Sequence, residues 1–396
     1  MASGLLRVLL LLCAVAAGAR AQQWQDHGNP YPTRERKPIR TGMVPWPNTA
    51  GTRWYGLTGD YELWERRSVE YCRYHYRWRY HRNSWWFGGR WRRYRERSCT
   101  MVWSWSLKGK HDDIPQGYGA DFEPCMLEGI EEIHQTTNAY LSGYSTRLNE
   151  WTYHGRPPSD DPVSSCSSVA KEGLKPRTFV HGRGSLWERY RETPSSGWTW
   201  RNHGKPFGHS VRDGKTSSYV ADQSAGISHV YAVSRDGSQV FRRTTNEDHQ
   251  NEEWSFYGEP TTKVQHVHAT LAGGVWAIGY GQVCMRRGSN LFPCYAMPDS
   301  AWSVIDCSDP FRVSGGKAVF CTARNTDRDS SNRLYQVKLQ DSPSDSEPTW
   351  TDHGAPSPRF AGMHHVFYGR PNVAFSGNSV RSVFVSSNMG VYELRF

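Results

Sequence analysis

One phrase, W-x-x-H-G-x-P, recurs along the whole chain and limits the folds that the chain can adopt. Four copies are complete, one has tyrosine in place of histidine, and two are degenerate. In chain order the seven copies begin at Trp24, Trp105, Trp151, Trp200, Trp254, Phe292 and Trp350. Self-similarity at a period of this size is the sequence signature of solenoids, propellers and related repeat architectures.

The spacing of the copies indicates a closed ring. The steps between successive copies are 81, 46, 49, 54, 38 and 58 residues. The step from Trp350 through the C-terminus and on from Gln22 to Trp24 is 49 residues, which is an ordinary step. A pair of β-sandwiches, the main alternative, gives no reason for this equality, whereas a ring completed by its own N-terminus requires it.

A second pattern precedes most copies: an apolar strand, a turn and another strand. Examples are FVHGRGSLWERY (179–190), HVYAVSRDGSQVFRR (229–243) and SVFVSSNMGVYELRF (382–396). Alternating apolar residues around Gly, Asn or Asp are typical of β-hairpins. The last hairpin has no W-x-x-H-G-x-P strand after it, and QWQDHGNP (23–30) supplies the missing one.

These observations predict an all-β fold, a seven-bladed β-propeller closed by the N-terminal strand, which completes the C-terminal blade. The chain has 18 Trp, 21 Tyr and 37 Gly and no sustained 3.6-residue apolar period, which favours short strands and tight turns over helices. Seven units averaging about 54 residues match small sheets arranged around an axis. Closure also removes an open sheet edge that would invite aggregation.

The segment GSLWERYRETPSSGWTWRNHGKP (184–206) resembles the repeat of the bacterial and fungal seven-bladed propeller lectins that bind fucose and related sugars. The resemblance extends through the seven copies and is strongest at 179–206. It implies shallow sugar sites between neighbouring blades, with aromatic rings under the sugar and polar groups at its hydroxyls. Carried over to matching positions, it gives as sugar-binding candidates Trp187, Arg189, Trp198, Trp200, His203, Trp24, His27, Trp151, His154, Trp350, His353 and Tyr392.

A structural interpretation of the same residues stays open. A tryptophan at a fixed repeat position also packs blades together, and the His-Gly pair also shapes a strand exit. Trp198 and Trp200 lie on one face of their strand because strand side chains alternate, as do Trp103 and Trp105. We therefore expect one member of each pair to be exposed.

The first residues have the pattern of a secretory signal. Arg7 precedes the apolar run VLLLLCAVAA (8–17), and Ala19-Arg20-Ala21 matches a cleavage site. We predict a signal peptide at 1–21, a single propeller domain at 22–396, and a secreted, extracellular protein. No later stretch approaches the roughly 20 apolar residues of a membrane span.

Eight cysteines remain after the predicted cleavage, an even number that suits disulfide bonds in an oxidising compartment. Eight cysteines allow about 105 connectivities. They lie along the chain as neighbours, so we expect the pairs Cys72 with Cys99, Cys125 with Cys166, Cys284 with Cys294, and Cys307 with Cys321.

An insertion at about 66–99 accounts for the longest step. Its core, YCRYHYRWRYHRNSWWFGGRWRRYRERSC (71–99), is called the arm below. Aromatic and basic residues alternate, which predicts a strand with one aromatic and one basic face. A Cys72–Cys99 bond would set a hairpin register in which Tyr76 faces Arg95 and Trp78 faces Arg93 as cation–π partners.

The arm carries nearly all of the net charge. Residues 61–100 hold 11 Arg and 4 Glu, while the whole chain has a formal net charge of +10. Arginine favours planar contacts to carboxylate, sulfate or phosphate. The candidates for an anionic partner are Arg73, Arg77, Arg79, Trp78, Arg92, Arg93 and Arg95.

Several partners suit this arm. Acidic or sulfated glycans, an acidic protein, anionic lipid and self-association all match its charge, and nucleic acid is disfavoured by the predicted secretion. A solvated hairpin that covers a blade is the structural alternative.

Motifs for catalysis are missing from the sequence. There is no P-loop, G-x-S-x-G or H-E-x-x-H, and PSDSEPTW (343–350) matches a sialidase Asp-box only in part. We expect no enzymatic activity, cofactor or metal site. The main prediction is a secreted, multivalent carbohydrate-binding protein, for which fucosylated, methylated and sulfated glycans are candidates. The alternatives are a structural or assembly component of an extracellular matrix, coat or large complex, and a glycosidase.

Overall fold

A computed structural model describes the chain at residues 23–30, 38–46, 52–82, 89–113, 124–127, 130–137, 139–169, 171, 173–193, 195–212, 216–286, 291–326, 331–340, 347–356, 366–376 and 379–396. The predicted signal peptide at 1–21 lies outside the described residues. The side chains of Arg79 and Arg92 also lie outside them.

The described strands form seven small antiparallel sheets, which confirms the predicted seven-bladed propeller. Blade 1 contains β2 (Val44–Pro45), β3 (Arg53–Leu57), β4 (Leu63–Arg82) and β5 (Gly89–Gly109). Blade 2 contains β6 (Cys125–Leu127), β7 (Glu132–Thr137), β8 (Tyr140–Ser145) and β9 (Glu150–Gly155). Blade 3 contains β10 (Val163–Val169), β11 (Arg177–Gly182), β12 (Ser185–Arg191) and β13 (Trp198–Gly204), and a 3₁₀ turn (Pro206–Gly208) follows it.

The remaining four blades complete the ring. Blade 4 contains β14 (Ser217–Asp222), β15 (Ile227–Val233), β16 (Val240–Asn246) and β17 (Glu253–Pro260), with β21 (Leu291–Phe292) parallel to β17. Blade 5 contains β18 (His266–Thr270), β19 (Gly274–Gly279), β20 (Gln282–Met285) and β22 (Cys294–Ala296). Blade 6 contains β23 (Trp302–Cys307), β24 (Phe311–Val313), β25 (Gly316–Asn325), β26 (Arg333–Gln340) and β27 (Thr349–Asp352). Blade 7 contains β28 (Phe367–Ser376), β29 (Ser379–Ser387), β30 (Gly390–Arg395) and β1 (Gln23–Gly28).

The N-terminal strand closes the ring as predicted. Strand β1 pairs antiparallel with β30, and the register places Gln23 opposite Arg395 and Trp24 opposite Leu394. The first and last described strands of the chain therefore share one sheet.

Each interface between blades buries an apolar cluster to which both neighbouring sheets contribute. Between blades 1 and 2, buried Tyr55 and Leu57 pack with Ile133 and Tyr144. Between blades 7 and 1, Trp54 stacks on Phe384 with their ring centroids 3.8 Å apart. Alternating strand residues supply these side chains, which explains the short apolar runs in the sequence.

All four predicted disulfide bonds are present. Cys125–Cys166 joins β6 of blade 2 to β10 of blade 3, so one covalent link crosses an interface between blades. The other three bonds each stay within one blade or the arm. In the described part of the chain, no helix is long and apolar enough to cross a membrane.

The arm continues blade 1 as a two-stranded ribbon. Strands β4 and β5 stay paired from Leu63 opposite Gly109 to Arg82 opposite Gly89. The register places Cys72 opposite Cys99, Tyr76 opposite Arg95 and Trp78 opposite Arg93, as the sequence predicted. Strand β3 pairs with β4 only up to Arg67, so the ribbon extends past the rest of its blade.

Candidate functional site

The repeated tryptophan joins one blade to the next through a hydrogen bond. In five copies its indole N–H donates to the backbone carbonyl of the fourth motif residue of the preceding blade. The five bonds are Trp24 to His353 (3.3 Å), Trp105 to His27 (3.0 Å), Trp151 to Lys108 (2.9 Å), Trp200 to His154 (3.3 Å) and Trp254 to His203 (2.9 Å). Where phenylalanine replaces tryptophan, Phe292 packs instead on Tyr257, the fourth residue of the preceding copy. The motif residues therefore form part of the interfaces between blades.

In three blades the side chain of the fourth motif residue is hydrogen-bonded within its own blade. A buried glutamate of the third strand accepts the hydrogen bond. The pairs are His27 with Glu393 (3.1 Å), Lys108 with Glu65 (2.9 Å) and His203 with Glu188 (2.9 Å). These glutamates are the third letter of the phrases VYELR, LWERR and LWERY, which explains why the phrases recur.

The next blade covers this histidine from the other side. Trp103 lies edge-on to His27 at 4.7 Å between centroids, and Trp198 lies edge-on to His154 at 4.9 Å. At the matching position of blade 4 stands Glu252, whose carboxylate lies 3.5 Å from Nδ1 of His203. The first tryptophan of each W-x-W pair thus packs against the motif histidine of the preceding blade.

This difference separates the pKa values of two equivalent histidines. Burial lowers the pKa of His27 and outweighs the opposing effect of its hydrogen bond to Glu393. Burial also acts to lower the pKa of His203, but hydrogen bonds to Glu188 and Glu252 outweigh it and raise the value. Burial alone would raise the pKa of Glu252, yet its hydrogen bond to His203 and nearby charges lower it to about 2.

Arginine stacks on the motif tryptophan across the strand pair. Arg189 lies 5.1 Å from the Trp200 ring centroid, and Arg66 lies 5.1 Å from that of Trp105. Burial lowers the pKa of Arg189 to about 10. The fourth letter of LWER therefore stabilises the outer strand by a cation–π contact.

The structure places the sugar-binding candidates mostly in structural positions. Trp187, His27, His154, His203 and Tyr392 are buried, so a ligand in solution does not reach their side chains. Their burial follows from the packing between blades, and a sugar-binding role for these five positions stays a prediction. The candidates that stay partly exposed are Trp24, Trp151, Arg189, Trp198, Trp200, Trp350 and His353.

Alternation along β4 places Tyr74 and Tyr76 on one face of the strand and its basic residues on the other, as predicted. Tyr74 and Tyr76 share their face of the ribbon with Arg93, Arg95 and Arg97 of β5, because residues opposite each other point the same way. The other face combines basic residues of β4 with Tyr94 and Glu96 of β5. Pairing with β5 therefore makes each face of the two-stranded ribbon both aromatic and basic.

Two cation–π contacts across the arm are diagonal. The Arg93 guanidinium lies 3.7 Å from the Tyr76 ring centroid, and that of Arg95 lies 3.5 Å from the Tyr74 ring centroid. The stacked partner is thus two residues away from the one directly opposite. Long side chains reach such diagonal neighbours in an antiparallel pair.

The arm is exposed along both strands. Trp78 is 61% and Tyr76 is 54% accessible, and Arg73, Arg77, Arg93 and Arg95 are exposed as well. Arg77 pairs with Glu96 at 3.1 Å, whereas Arg93 and Arg95 have no carboxylate within ion-pair distance among the described residues. Two stacked guanidinium groups therefore face solvent with their charge unpaired by acid in the described part of the arm.

Two further sites were missed by sequence reasoning. A cavity of about 410 Å³ lies where the inner edges of the blades meet, and Arg370 there pairs with Asp309 at 2.7 Å. In blade 2, Glu132, His134 and His154 lie buried with their ligand atoms within 4.8 Å of one another. Neither site has a compact sequence motif, since its residues come from separate strands or blades.

Comparison with known proteins supports the fold. No family model matches the chain, and no curated protein sequence matches it. Two structures of extracellular domains of B. thetaiotaomicron proteins, described as hybrid two-component and one-component systems, align with TM-scores of 0.53 and 0.51 at 10% and 9% identity. Each alignment covers 95% of this chain but 40% of the other. An auxiliary nutrient binding protein from Bacteroides ovatus aligns with a TM-score of 0.42 at 9% identity over 94% of this chain and 72% of its own. The similarity to the two extracellular domains supports the propeller fold and indicates no specific ligand.

Proposed function

We propose that the protein is a secreted, non-catalytic, lectin-like protein whose arm binds the anionic groups of an acidic or sulfated glycan. The observation that carries the proposal is the pair Arg93 and Arg95. Both guanidinium groups stack on tyrosine rings, at 3.7 and 3.5 Å, on an exposed ribbon.

Stacking prepares these arginines for anion binding. A guanidinium held over a ring loses little rotamer freedom on binding, while the N–H groups at its edge stay available to sulfate or carboxylate. Trp78 on the same face is 61% exposed and offers a flat surface for the C–H face of a sugar ring. The arm thus combines the two kinds of contact that an acidic glycan needs.

The rigidity of the arm supports the same function. The Cys72–Cys99 bond closes the ribbon near its base, and the strands are paired along its length. A preorganised surface binds with a smaller entropic cost than a flexible tail. Four disulfide bonds also fit an oxidising compartment, which agrees with the proposed secretion.

Blade 3 offers a second, weaker sugar contact. Trp198 and Trp200 are partly exposed, and Arg191 and Arg189 lie 4.5 and 5.1 Å from their ring centroids. This surface suits a neutral fucosylated or methylated sugar. Weak sites on one rigid ring, together with the arm, would gain avidity on a polyvalent glycan.

A glycan array with and without the arm tests the proposal. The arm-shortened variant replaces residues 71–100 by Asn-Gly between Glu70 and Met101, which face each other in the register. We expect wild-type protein to bind sulfated or carboxylated glycans and the variant to lose this binding while keeping its near-UV circular dichroism. Wild-type binding to no acidic glycan, or equal binding by both proteins, would refute it.

Self-assembly is a second candidate function, favoured by the open edge of the ribbon. Beyond Ser68, which still bonds to the Thr52 carbonyl, strand β4 has no strand partner on its β3 side among the described residues, and Tyr71, Met101 and Val102 are exposed. Unpaired strand edges of this kind associate with other strands. Sedimentation velocity distinguishes the functions: concentration-dependent oligomers that disappear in the arm-shortened variant support assembly, and a monomer at all concentrations excludes it.

A further inference from the structure

Blade 2 departs from a packing arrangement that blades 3, 6 and 7 share. In blades 3, 6 and 7 an aromatic ring of the second strand lies under the motif histidine. These rings, Phe179, Phe320 and Phe384, contact His203, His353 and His27 at 5.8, 5.6 and 5.2 Å between centroids. Directly opposite each ring, the third strand carries Glu188, Gln336 or Glu393, respectively.

In blade 2 both of these positions have changed together. The second strand carries His134 in place of phenylalanine, 4.6 Å from His154, and Gly143 stands opposite in place of the acid. A Cβ added at Gly143 would lie 2.7 Å from Nε2 of His154 and 3.0 Å from Nε2 of His134. The glycine thus makes room for two imidazole nitrogens that approach the same point.

A carboxylate completes the cluster. Oε2 of Glu132 lies 3.2 Å from Nε2 of His134, and Arg191 faces the other oxygen, Oε1, at 3.6 Å. On the far side of its ring, Nδ1 of His134 lies 2.9 Å from the Thr178 hydroxyl, which can accept its N–H and leave the Nε2 lone pair facing the cluster. Outer hydrogen bonds of this kind orient metal-binding histidines.

His154 has no hydrogen-bond partner at either ring nitrogen among the described residues, although it is only 5% exposed. Its equivalents in blades 3 and 7 are bound by Glu188 and Glu393. A buried imidazole without a partner is costly, and a bound cation would satisfy it.

We propose that Glu132, His134 and His154 form a Zn²⁺ site at the interface of blades 2 and 3. Two histidines and one carboxylate are a known zinc ligand set, with a fourth position left for water or a ligand. The three ligand atoms lie within 4.8 Å of one another, and small side-chain rotations would bring them to the roughly 3.3 Å spacing of tetrahedral zinc. Arg189, Arg191 and His111 also face this cluster, and positive charge on them would oppose the binding of a cation.

The test is a titration of chelator-treated full-length protein with ZnCl₂ by isothermal calorimetry, repeated with Co²⁺ for its visible absorption. We expect one Zn²⁺ per chain with micromolar or tighter affinity, and an intense tetrahedral Co²⁺ spectrum. In H134F/G143E, which rebuilds the phenylalanine–glutamate pair of blade 3, both signals should vanish. H203Q, which changes the equivalent histidine of blade 3, should bind as wild type does.

A second variant protects the test against misfolding. E132Q keeps the shape of the carboxylate, and we expect it to weaken Zn²⁺ at least about 10-fold, since it removes one of three ligands. Wild-type protein without stoichiometric Zn²⁺ binding, or wild-type affinity in E132Q or in folded H134F/G143E, would overturn the proposal. Loss of Zn²⁺ binding in H203Q would place the metal elsewhere and overturn it as well.

Discussion

The fourth residue of the repeated motif occupies equivalent positions in different blades, but the groups that surround its side chain differ. In five copies it lies at an interface between blades, where its backbone carbonyl accepts an indole N–H. The surroundings of its side chain depend on two neighbours. One is the third-strand residue of its own blade, and the other is the residue two positions before the motif tryptophan of the next blade. Glu188 and Glu252 surround His203 with negative charge, whereas Trp103 covers His27 with an apolar ring.

This difference predicts opposite pH dependence for two matched variants. The pKa of His203 is raised in the folded protein, so its stabilising contribution is present below about pH 6.5 and is lost as the pH rises through the folded value. We expect H203Q to cost about 3 kcal/mol at pH 5.5, because a buried pair is broken, and less at pH 8. Urea unfolding at both pH values measures this.

His27 supplies the control, because its pKa is lowered by burial. Protonation therefore opposes folding, and the wild type loses the contribution of His27 as the pH falls below about 6.5. H27Q should accordingly be more harmful at pH 8 than at pH 5.5. If both variants lose stability in the same direction with pH, the assigned surroundings of these histidines are wrong.

At the scale of the strand, β1 does for blade 7 what the last strand does for each other blade. Its Trp24 donates to blade 6 through the His353 carbonyl, and blade 1 donates to it through Trp105 and the His27 carbonyl. The N-terminal strand thus takes part in the same series of bonds on both sides. The closure of the ring depends on this strand and on its register with β30.

An engineered disulfide tests that register. Gln23 and Arg395 are opposite each other, so Q23C/R395C should form a bond and raise the free energy of unfolding by about 2–4 kcal/mol. In the control, Q23C/R381C, the second cysteine is on β29, one strand further away and out of reach. Peptide mapping by mass spectrometry identifies the bond; equal cross-linking in both variants would contradict the described closure.

The sequence predicts the strand-level features well because they rest on periodicity. Equal steps across the termini predict closure by β1, and cysteines that are neighbours in sequence bond as expected. Alternation along β4 predicts the two faces of that strand, and the composition of each face of the arm also depends on the phase of β5 relative to it. The partner of Trp200 is a carbonyl 46 residues away on another sheet, and no local pattern indicates it.

At the scale of the molecule, the propeller is a disc with a charged arm. Residues 61–100 hold 11 Arg and 4 Glu, whereas the formal net charge of the whole chain is +10. The motif that dominates the sequence is used mostly for assembly of the ring, and five of the twelve sugar-binding candidates are buried in it. The exposed chemistry is concentrated in the arm, which is why the proposed function centres there.

Charge-matched variants of the arm test this account most directly. The measurement is the affinity of a heparin-derived oligosaccharide, used as a sulfated probe, by surface plasmon resonance at fixed ionic strength. R93Q/R95Q removes the two stacked guanidinium groups, and R147Q/K171Q removes two exposed charges from blade 2 and the loop that follows β10. R93K/R95K keeps the charge and removes the planar fork.

We expect R93Q/R95Q to bind about 30-fold more weakly, which corresponds to about 1 kcal/mol for each guanidinium. R147Q/K171Q should stay within about 3-fold of wild type, and R93K/R95K should lie between the two because lysine does not reproduce the bidentate contact. Equal weakening by the two charge-removing variants would show a nonspecific effect of net charge, and that result would contradict the arm as the binding site.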